Sequence, residues 1–119
     1  MKMADQLKKQ VAENRWFHAI DFGGFSSAGR FPAGQPQNIT LFGAFEFLKV
    51  LDLSGCELLD IGAYDGIVSF GAKYLGAERV VALDSYDQPT FRLARKILNM
   101  EKDVEYLPNR QVRDIPHEF

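Results

Sequence analysis

Apolar positions in the second half of the chain follow two alternating periods, and this alternation predicts a parallel sheet with flanking helices. Short apolar runs predict strands at 57–61, 79–83 and 104–107. Between them, apolar residues at helical spacing predict helices over 66–75 and over 89–100. Strands that alternate with helices across short connections form parallel sheets with right-handed crossovers. The expected fold class is α/β, with about three parallel strands.

The first half of the chain has a weaker pattern. Residues 2–14 carry a narrow apolar stripe at four-residue spacing, as in a helix that lies on a surface. Residues 21–38 have no sustained period and contain many glycines and prolines, which is typical of a lid, a binding loop or disorder. A further helix is predicted over 40–51. We expect an N-terminal helical and loop extension over 1–52, as a candidate lid or substrate-side segment, and a domain over 53–119.

Composition and charge exclude few classes of function. With 119 residues, the chain is one domain or less, and its 46% apolar content is ample for a core. The net charge of −2 provides no general attraction for nucleic acids or membranes, although a local patch would suffice for an RNA substrate.

A single cysteine, Cys56, excludes an internal disulfide framework and fits a reducing compartment. Because it precedes a predicted strand, we expect it to pack in the core. No apolar run approaches the roughly 18–20 residues of a membrane span, and the N-terminus lacks the apolar segment of a signal peptide. The sequence thus predicts a cytoplasmic protein without a membrane partner.

Two glycines four positions apart follow the first predicted strand, and a carboxylate precedes them. Asp60, Gly62 and Gly66 lie in the run Asp-Ile-Gly-Ala-Tyr-Asp-Gly, and a second acid, Asp84, ends the next strand. A glycine turn lets backbone approach a ligand at a helix N-terminus, where free N–H groups point outward. A carboxylate can accept two hydrogen bonds from a ribose diol. Together these residues predict a nucleoside-type cofactor across the ends of two adjacent parallel strands.

The run from Asp60 to Gly66 resembles motif I of the class I S-adenosylmethionine-dependent methyltransferases, and Asp84 matches the acid at the end of the second strand in that family. The upstream sequences 15–24, Gly29-Arg30 and 53–55 are similar to the branch that contains the tRNA wobble-uridine methyltransferases. The resemblance covers nearly the whole chain. It implies a Rossmann-like half-fold that transfers a methyl group from S-adenosylmethionine. The acceptor stays open among a tRNA wobble base, a small metabolite and a lipid or sugar.

The resemblance also implies a role for individual residues. The two glycines would let the backbone pass under the methionine portion of the cofactor, while Asp60 would orient the turn and indirectly hold the ammonium group. Asp84 would bind the ribose, and Gln111 aligns with an acid near the adenine in other members, with Asp114 close by. Tyr64 replaces a glycine common elsewhere and narrows the pocket. The candidate cofactor-binding residues are Asp60, Gly62, Ala63, Tyr64, Gly66, Asp84, Ser85, Gln111 and Val112. No catalytic residue and no metal ligand is predicted. Some members use a carboxylated cofactor, for which Arg15 and Arg30 are candidate cations by charge alone.

Simpler interpretations stay open for several residues. Gly62 could serve only close strand–helix packing, and Asp65 could cap the following helix. His18 could shape a substrate entrance, but a hydrogen-bonded structural role is the simpler interpretation. Trp16 and Phe17 could be core aromatics, or could stack on a base over a cofactor site.

Two other functions also stay open. A dinucleotide-binding domain pairs a glycine turn with an acid, but it requires Gly-x-Gly-x-x-Gly, and positions 64 and 67 are Tyr and Ile. The main alternative is a non-catalytic binding or oligomerising fragment, because a complete methyltransferase sheet has more strands than this chain supplies. Strand 57–61 would then present an unpaired edge that a second copy of the chain could cover.

Overall fold

A computed structural model describes residues 3–30, 43, 44 and 46–115. The elements are helix α1 (Met3–Glu13), strand β1 (Glu57–Ile61), helix α2 (Ile67–Tyr74), strand β2 (Arg79–Leu83), helix α3 (Pro89–Ile97), strand β3 (Val104–Leu107) and a short 3-10 helix (Val112–Asp114). All three predicted strands are confirmed with their predicted bounds, because each is a short apolar run between clear turn signals.

The two helices between the strands are slightly shorter than predicted. Helix α2 begins one residue late because Gly66 adopts a left-handed conformation, with φ of 94°. Helix α3 ends before Asn99, which also has a positive φ, of 56°. The helix predicted over 40–51 is described only in part: residues 43, 44 and 46–48 are helical, and its predicted start lies outside the described residues.

The three strands form one parallel sheet in the order β1–β2–β3. The α/β class, with three parallel strands and flanking helices, is therefore confirmed. The register pairs Ile61 with Leu83 and Leu83 with Leu107, so all three strands end at the same edge. In the part of the chain that the structure describes, β1 pairs only with β2. The central strand β2 is buried along its last four residues, whereas Ile61 at the end of β1 is 50% exposed.

Aromatic rings fill the space between the sheet and its helices. Phe91 of α3 stacks on Tyr106 of β3 with ring centroids 4.1 Å apart, and it contacts Phe70 of α2 at 4.9 Å. The N-terminal segment shares this core, because Trp16 is buried in the same cluster and its indole N–H donates to the backbone oxygen of Val11 at 2.8 Å. The first interpretation of Trp16, as a core aromatic, is thus confirmed. The domain division at residue 52 stays a prediction.

One packing prediction is wrong. Cys56 is exposed before β1, and the strand that it precedes is itself only half-buried, with an exposed first residue. Over the described residues, no helix combines the length and the apolar character needed to cross a membrane.

Candidate functional site

The turn that follows β1 closes over the end of β2. The backbone N–H groups of Gly62 and Ala63 both donate to the carbonyl oxygen of Leu83, at 2.8 and 3.1 Å. The next N–H, that of Tyr64, donates to Oδ2 of Asp84 at 2.9 Å. The expectation that N–H groups of this turn point outward to a ligand is therefore wrong for these three. They satisfy acceptors at the end of β2, which need donors in a buried position.

Asp84 accepts hydrogen bonds from several segments of this site. Its carboxylate is 5% exposed, and Oδ1 accepts a hydrogen bond of 3.0 Å from the N–H of Tyr86. The side-chain amide of Gln88 lies 3.4 Å from the same oxygen. A carboxylate offers about four lone-pair sites, and these contacts take two on Oδ1 and one on Oδ2, which leaves one site on Oδ2 for a ligand. The backbone oxygen of Asp84 accepts from the N–H of Arg110 at 2.9 Å, which brings the segment after β3 to the same edge.

The two glycines of the turn have different roles. Among the residues that the structure describes, a Cβ added to Gly62, whose φ is 74°, would meet no atom within 4 Å. A Cβ on Gly66 would contact the ring of Phe70 and lie 2.7 Å from that of Phe91. The packing interpretation of Gly62 is thus wrong, and the glycine that close packing requires is Gly66, for which no such role was predicted. Gly62 borders open space, where a ligand can approach the backbone.

Asp60 ties the turn to helix α2. Its Oδ2 accepts a hydrogen bond of 2.7 Å from the hydroxyl of Ser69, which is fully buried. Burial raises the pKa of the Asp60 carboxyl, the hydrogen bonds from Ser69 oppose this, and the charge of Asp84 adds to it. The geometry agrees with a carboxylate that orients the turn.

Asp65 does not cap helix α2, because the residue at the cap is Gly66 and no side chain bonds there. The capping interpretation is wrong. The Asp65 carboxylate is 1% exposed, and its Oδ2 accepts the backbone N–H groups of Phe17 at 2.5 Å and His18 at 2.7 Å. Its Oδ1 accepts the hydroxyl of Thr90 at the start of α3. Asp65 therefore holds the N-terminal segment, the turn and α3 together. Sequence reasoning missed this role, because these partners are distant in the sequence.

His18 lies at the same junction. It is buried, and its Nδ1 is 3.7 Å from Oδ2 of Asp65. Burial lowers the pKa of the imidazole, and the charge of Asp65 opposes that shift. These contacts agree with the structural interpretation of this histidine.

The ring of Tyr64 reaches out of the turn to the N-terminal segment. It stacks on the ring of Phe17, with centroids 4.5 Å apart and an angle of 25° between the planes. The guanidinium carbon of Arg30 lies 5.5 Å from the centroid of the Phe17 ring. Phe17 is thus half-buried beside the predicted cofactor site, whereas its neighbour Trp16 belongs to the core.

The remaining predicted residues lie at the same edge of the sheet. Ser85 is exposed directly after Asp84. Gln111 is the N-cap of the 3-10 helix, and its N–H donates to Oδ2 of Asp114 at 2.8 Å as part of a capping box. Val112 is 61% exposed. Of the nine predicted residues, two pack in the core: Gly66 lies against the rings of Phe70 and Phe91, and Ala63 is 4% exposed within the hydrophobic cluster.

The comparison with family models gives no match. A stretch of 77 residues is 34% identical to the ribosomal protein L11 methyltransferase of Pseudomonas savastanoi pv. phaseolicola (strain 1448A / Race 6). The matched stretch is similar to a methyltransferase. It covers 61% of this chain and 25% of that protein, so the chain spans about a quarter of the length of this relative.

Among solved structures, the chain is similar to the crystal structure of a candidate RNA methyltransferase from Pyrococcus horikoshii. The TM-score is 0.49 and the sequence identity is 20%, over 98% of this chain and 53% of that one.

Proposed function

We propose that the chain provides the cofactor-binding part of an S-adenosylmethionine-dependent methyltransferase. The observation that carries this proposal is the hydrogen bond from the N–H of Tyr64 to Asp84. It joins the glycine turn after β1 to the acid after β2, at the carboxyl ends of two adjacent parallel strands. Ligands of open α/β sheets bind outside these ends. The 34% identity to a methyltransferase over 77 residues supports the same function.

The residues at this edge fit the parts of the cofactor. The acceptor site left on Oδ2 of Asp84 would bind a ribose hydroxyl. The open space beside Gly62 would admit the methionine portion, because a Cβ at this position meets no atom of the described residues within 4 Å. The exposed apolar side chain of Val112 would pack on the adenine ring, with Gln111 and Ser85 beside it. Asp60 would hold the turn in the required orientation.

When bound, S-adenosylmethionine supplies an electrophilic methyl group on a sulfonium. The chain contributes alignment of this group with the acceptor and exclusion of water, which can account for much of the rate. No general base is proposed among the described residues. The resemblance of the upstream segment makes a tRNA wobble uridine the proposed acceptor. Transfer of a labelled methyl group to total tRNA tests it, and unlabelled tRNA despite cofactor binding would rule this acceptor out for the chain. A cytoplasmic location also stays a proposal.

We further propose that a second copy of the chain pairs along the outer edge of β1. Within the described ranges, the outer edge of β1 has no strand beside it. Such an edge readily binds another strand, and Ile61 at the end of β1 is half-exposed. Size-exclusion chromatography with light scattering should give a dimer, and an Ile61→Lys variant should shift it toward monomer. A monomer at all concentrations would contradict this pairing.

Calorimetric titration of S-adenosylhomocysteine into the chain tests the cofactor site. An Asp84→Asn variant keeps the shape of the side chain but has only one acceptor oxygen, so we expect affinity to fall about tenfold or more. Asp103→Asn, on an exposed residue in the turn before β3, is the matched control and should bind normally. Thermal unfolding shows whether each variant is folded. Equal affinity in the folded Asp84→Asn variant would count against the proposal.

A further inference from the structure

An open cavity of about 550 Å³ lies beside the glycine turn, on the side of the N-terminal segment. Its volume falls within the usual range of small-molecule sites, about 300–1,000 Å³. The lining residues that matter for its chemistry are Asn14, Arg15, Phe17, Gly29, Arg30 and Tyr64.

The charge of this cavity is opposite to that of the whole chain. Two guanidinium groups line it, from Arg15 and Arg30, and none of its described lining residues is acidic. The chain as a whole has a net charge of −2. Guanidinium groups bind phosphate through two parallel N–H donors. The cavity is therefore suited to a ligand with a phosphate group.

An aromatic wall stands next to these charges. The stacked rings of Phe17 and Tyr64 form it, and Tyr64 is 42% exposed. Nucleic-acid bases stack on exposed aromatic rings with little dependence on base identity. A base stacked on the ring of Tyr64 would place the phosphate of the same nucleotide near Arg15 or Arg30.

Two buried carboxylates hold the backbone of the two aromatic residues that form this wall. The backbone N–H of Phe17 donates to Asp65, which is 1% exposed, and the N–H of Tyr64 donates to Asp84, which is 5% exposed. Because the backbone of both aromatic residues is fixed before a ligand binds, binding requires less ordering of the protein.

From these contacts we infer that the cavity binds a nucleotide unit, with its base on Tyr64 and its phosphate at Arg15 and Arg30. This inference rests on the proposed function, in which the nucleotide is the methyl acceptor. Tyr64 belongs to both sites: its N–H holds the glycine turn against Asp84, and its ring lines the cavity. A nucleotide in the cavity would therefore lie next to the bound cofactor.

Titrations with uridine and with uridine 5′-monophosphate test the inference. A pyrimidine is chosen because it differs from the adenine of the cofactor and competes least for the cofactor site. We expect the monophosphate to bind about tenfold more tightly than uridine at low salt, and this difference to shrink as salt increases. Equal affinity for the two compounds, or no binding of either, would overturn the inference.

Two variants test which residue contacts the phosphate and which contacts the base. Arg30→Gln should remove most of the advantage of the monophosphate over uridine. Arg92→Gln is the matched control, because its guanidinium carbon lies 5.3 Å from the Tyr106 ring, much as Arg30 lies 5.5 Å from Phe17. Tyr64→Leu keeps the backbone N–H, and it should lower the affinity for both compounds about tenfold because base stacking is lost. An Arg30→Gln variant with the affinities of the unmodified chain would contradict the assignment.

Two further titrations separate this inference from the proposed function. S-adenosylhomocysteine bound without the monophosphate would overturn the cavity assignment and leave the cofactor site intact. The monophosphate bound without S-adenosylhomocysteine would overturn the methyltransferase proposal and support a nucleotide site alone. A titration with hexauridylate shows whether the bound nucleotide is free or part of an RNA strand. Tighter binding of hexauridylate than of the monophosphate indicates a nucleotide within a strand, and weaker binding indicates a free nucleotide.

Discussion

The backbone N–H of Tyr64 donates a hydrogen bond of 2.9 Å to Oδ2 of Asp84, twenty residues further along the chain. This bond fixes the turn after β1 to the end of β2. The ring of the same tyrosine faces the N-terminal segment, where it stacks on Phe17. A single residue thus connects the proposed cofactor site to the proposed acceptor cavity.

Gly66→Ala should destabilise the chain far more than Gly76→Ala. Both glycines have a strongly positive φ, of 94° and 103°, so both variants carry backbone strain. At position 66 the added Cβ would also press into the rings of Phe70 and Phe91, whereas at position 76 no atom of the described residues lies within 4 Å. We expect Gly66→Ala to lower the free energy of unfolding by about 3 kcal/mol or more, and Gly76→Ala by about 1–2 kcal/mol. Urea denaturation measures both, and similar losses would contradict the packing role.

Asp65→Asn should lower stability by about 2–4 kcal/mol, because an amide replaces a buried carboxylate whose oxygens accept three hydrogen bonds in this structure. Asp52→Asn is the matched control: Asp52 also accepts a backbone N–H, from Ser54 at 3.0 Å, but it is exposed. We expect a change of about 0.5 kcal/mol or less there. If both variants unfold at the same urea concentration, Asp65 does not hold the three segments together.

Stability should decrease as the pH falls through the range in which His18 titrates in the unfolded chain. Burial holds the pKa of His18 below its usual 6.5 in the folded state. Between the folded pKa and 6.5, the unfolded chain binds more protons, so the free energy of unfolding rises with pH. We expect the decrease between about pH 7.5 and pH 5.5 to be smaller in a His18→Gln variant. Urea denaturation at both pH values checks this, and an identical decrease in the two proteins would rule out His18 as its source.

The strands could be predicted because their signals are local. Val80 to Leu83 form a continuous apolar run, as expected for a central parallel strand, and the structure gives β2 its predicted bounds. The role of Asp65 could not be predicted, since its partners Phe17 and Thr90 are brought to it only by the tertiary fold. Local pattern matching indicates a cap at that position, because an acid next to a helix start has that role in most sequences.

The candidate site was also predictable only in part. The spacing of Gly62, Gly66 and Asp84 indicates a turn over a neighbouring strand, and the structure brings the turn and the acid together. Sequence alone cannot distinguish the two glycines, because the difference depends on which atoms surround each Cα. The direction of the N–H groups was likewise undetermined, since the competing acceptor, the oxygen of Leu83, belongs to another strand.

The most direct test of the cofactor site is a titration of S-adenosylhomocysteine into Gly62→Ala and Gly55→Ala. The two glycines have nearly the same φ, 74° and 72°, and at neither would a Cβ meet an atom of the described part of the chain within 4 Å. Both variants should therefore lose a similar free energy of unfolding, about 1–2 kcal/mol. Gly62 lies at the carboxyl end of β1 and Gly55 before its start, so only the Cβ at position 62 would occupy the space proposed for the cofactor. We predict that Gly62→Ala weakens binding at least about tenfold while Gly55→Ala binds as tightly as the unmodified chain; equal affinities in the two variants would contradict the proposed site.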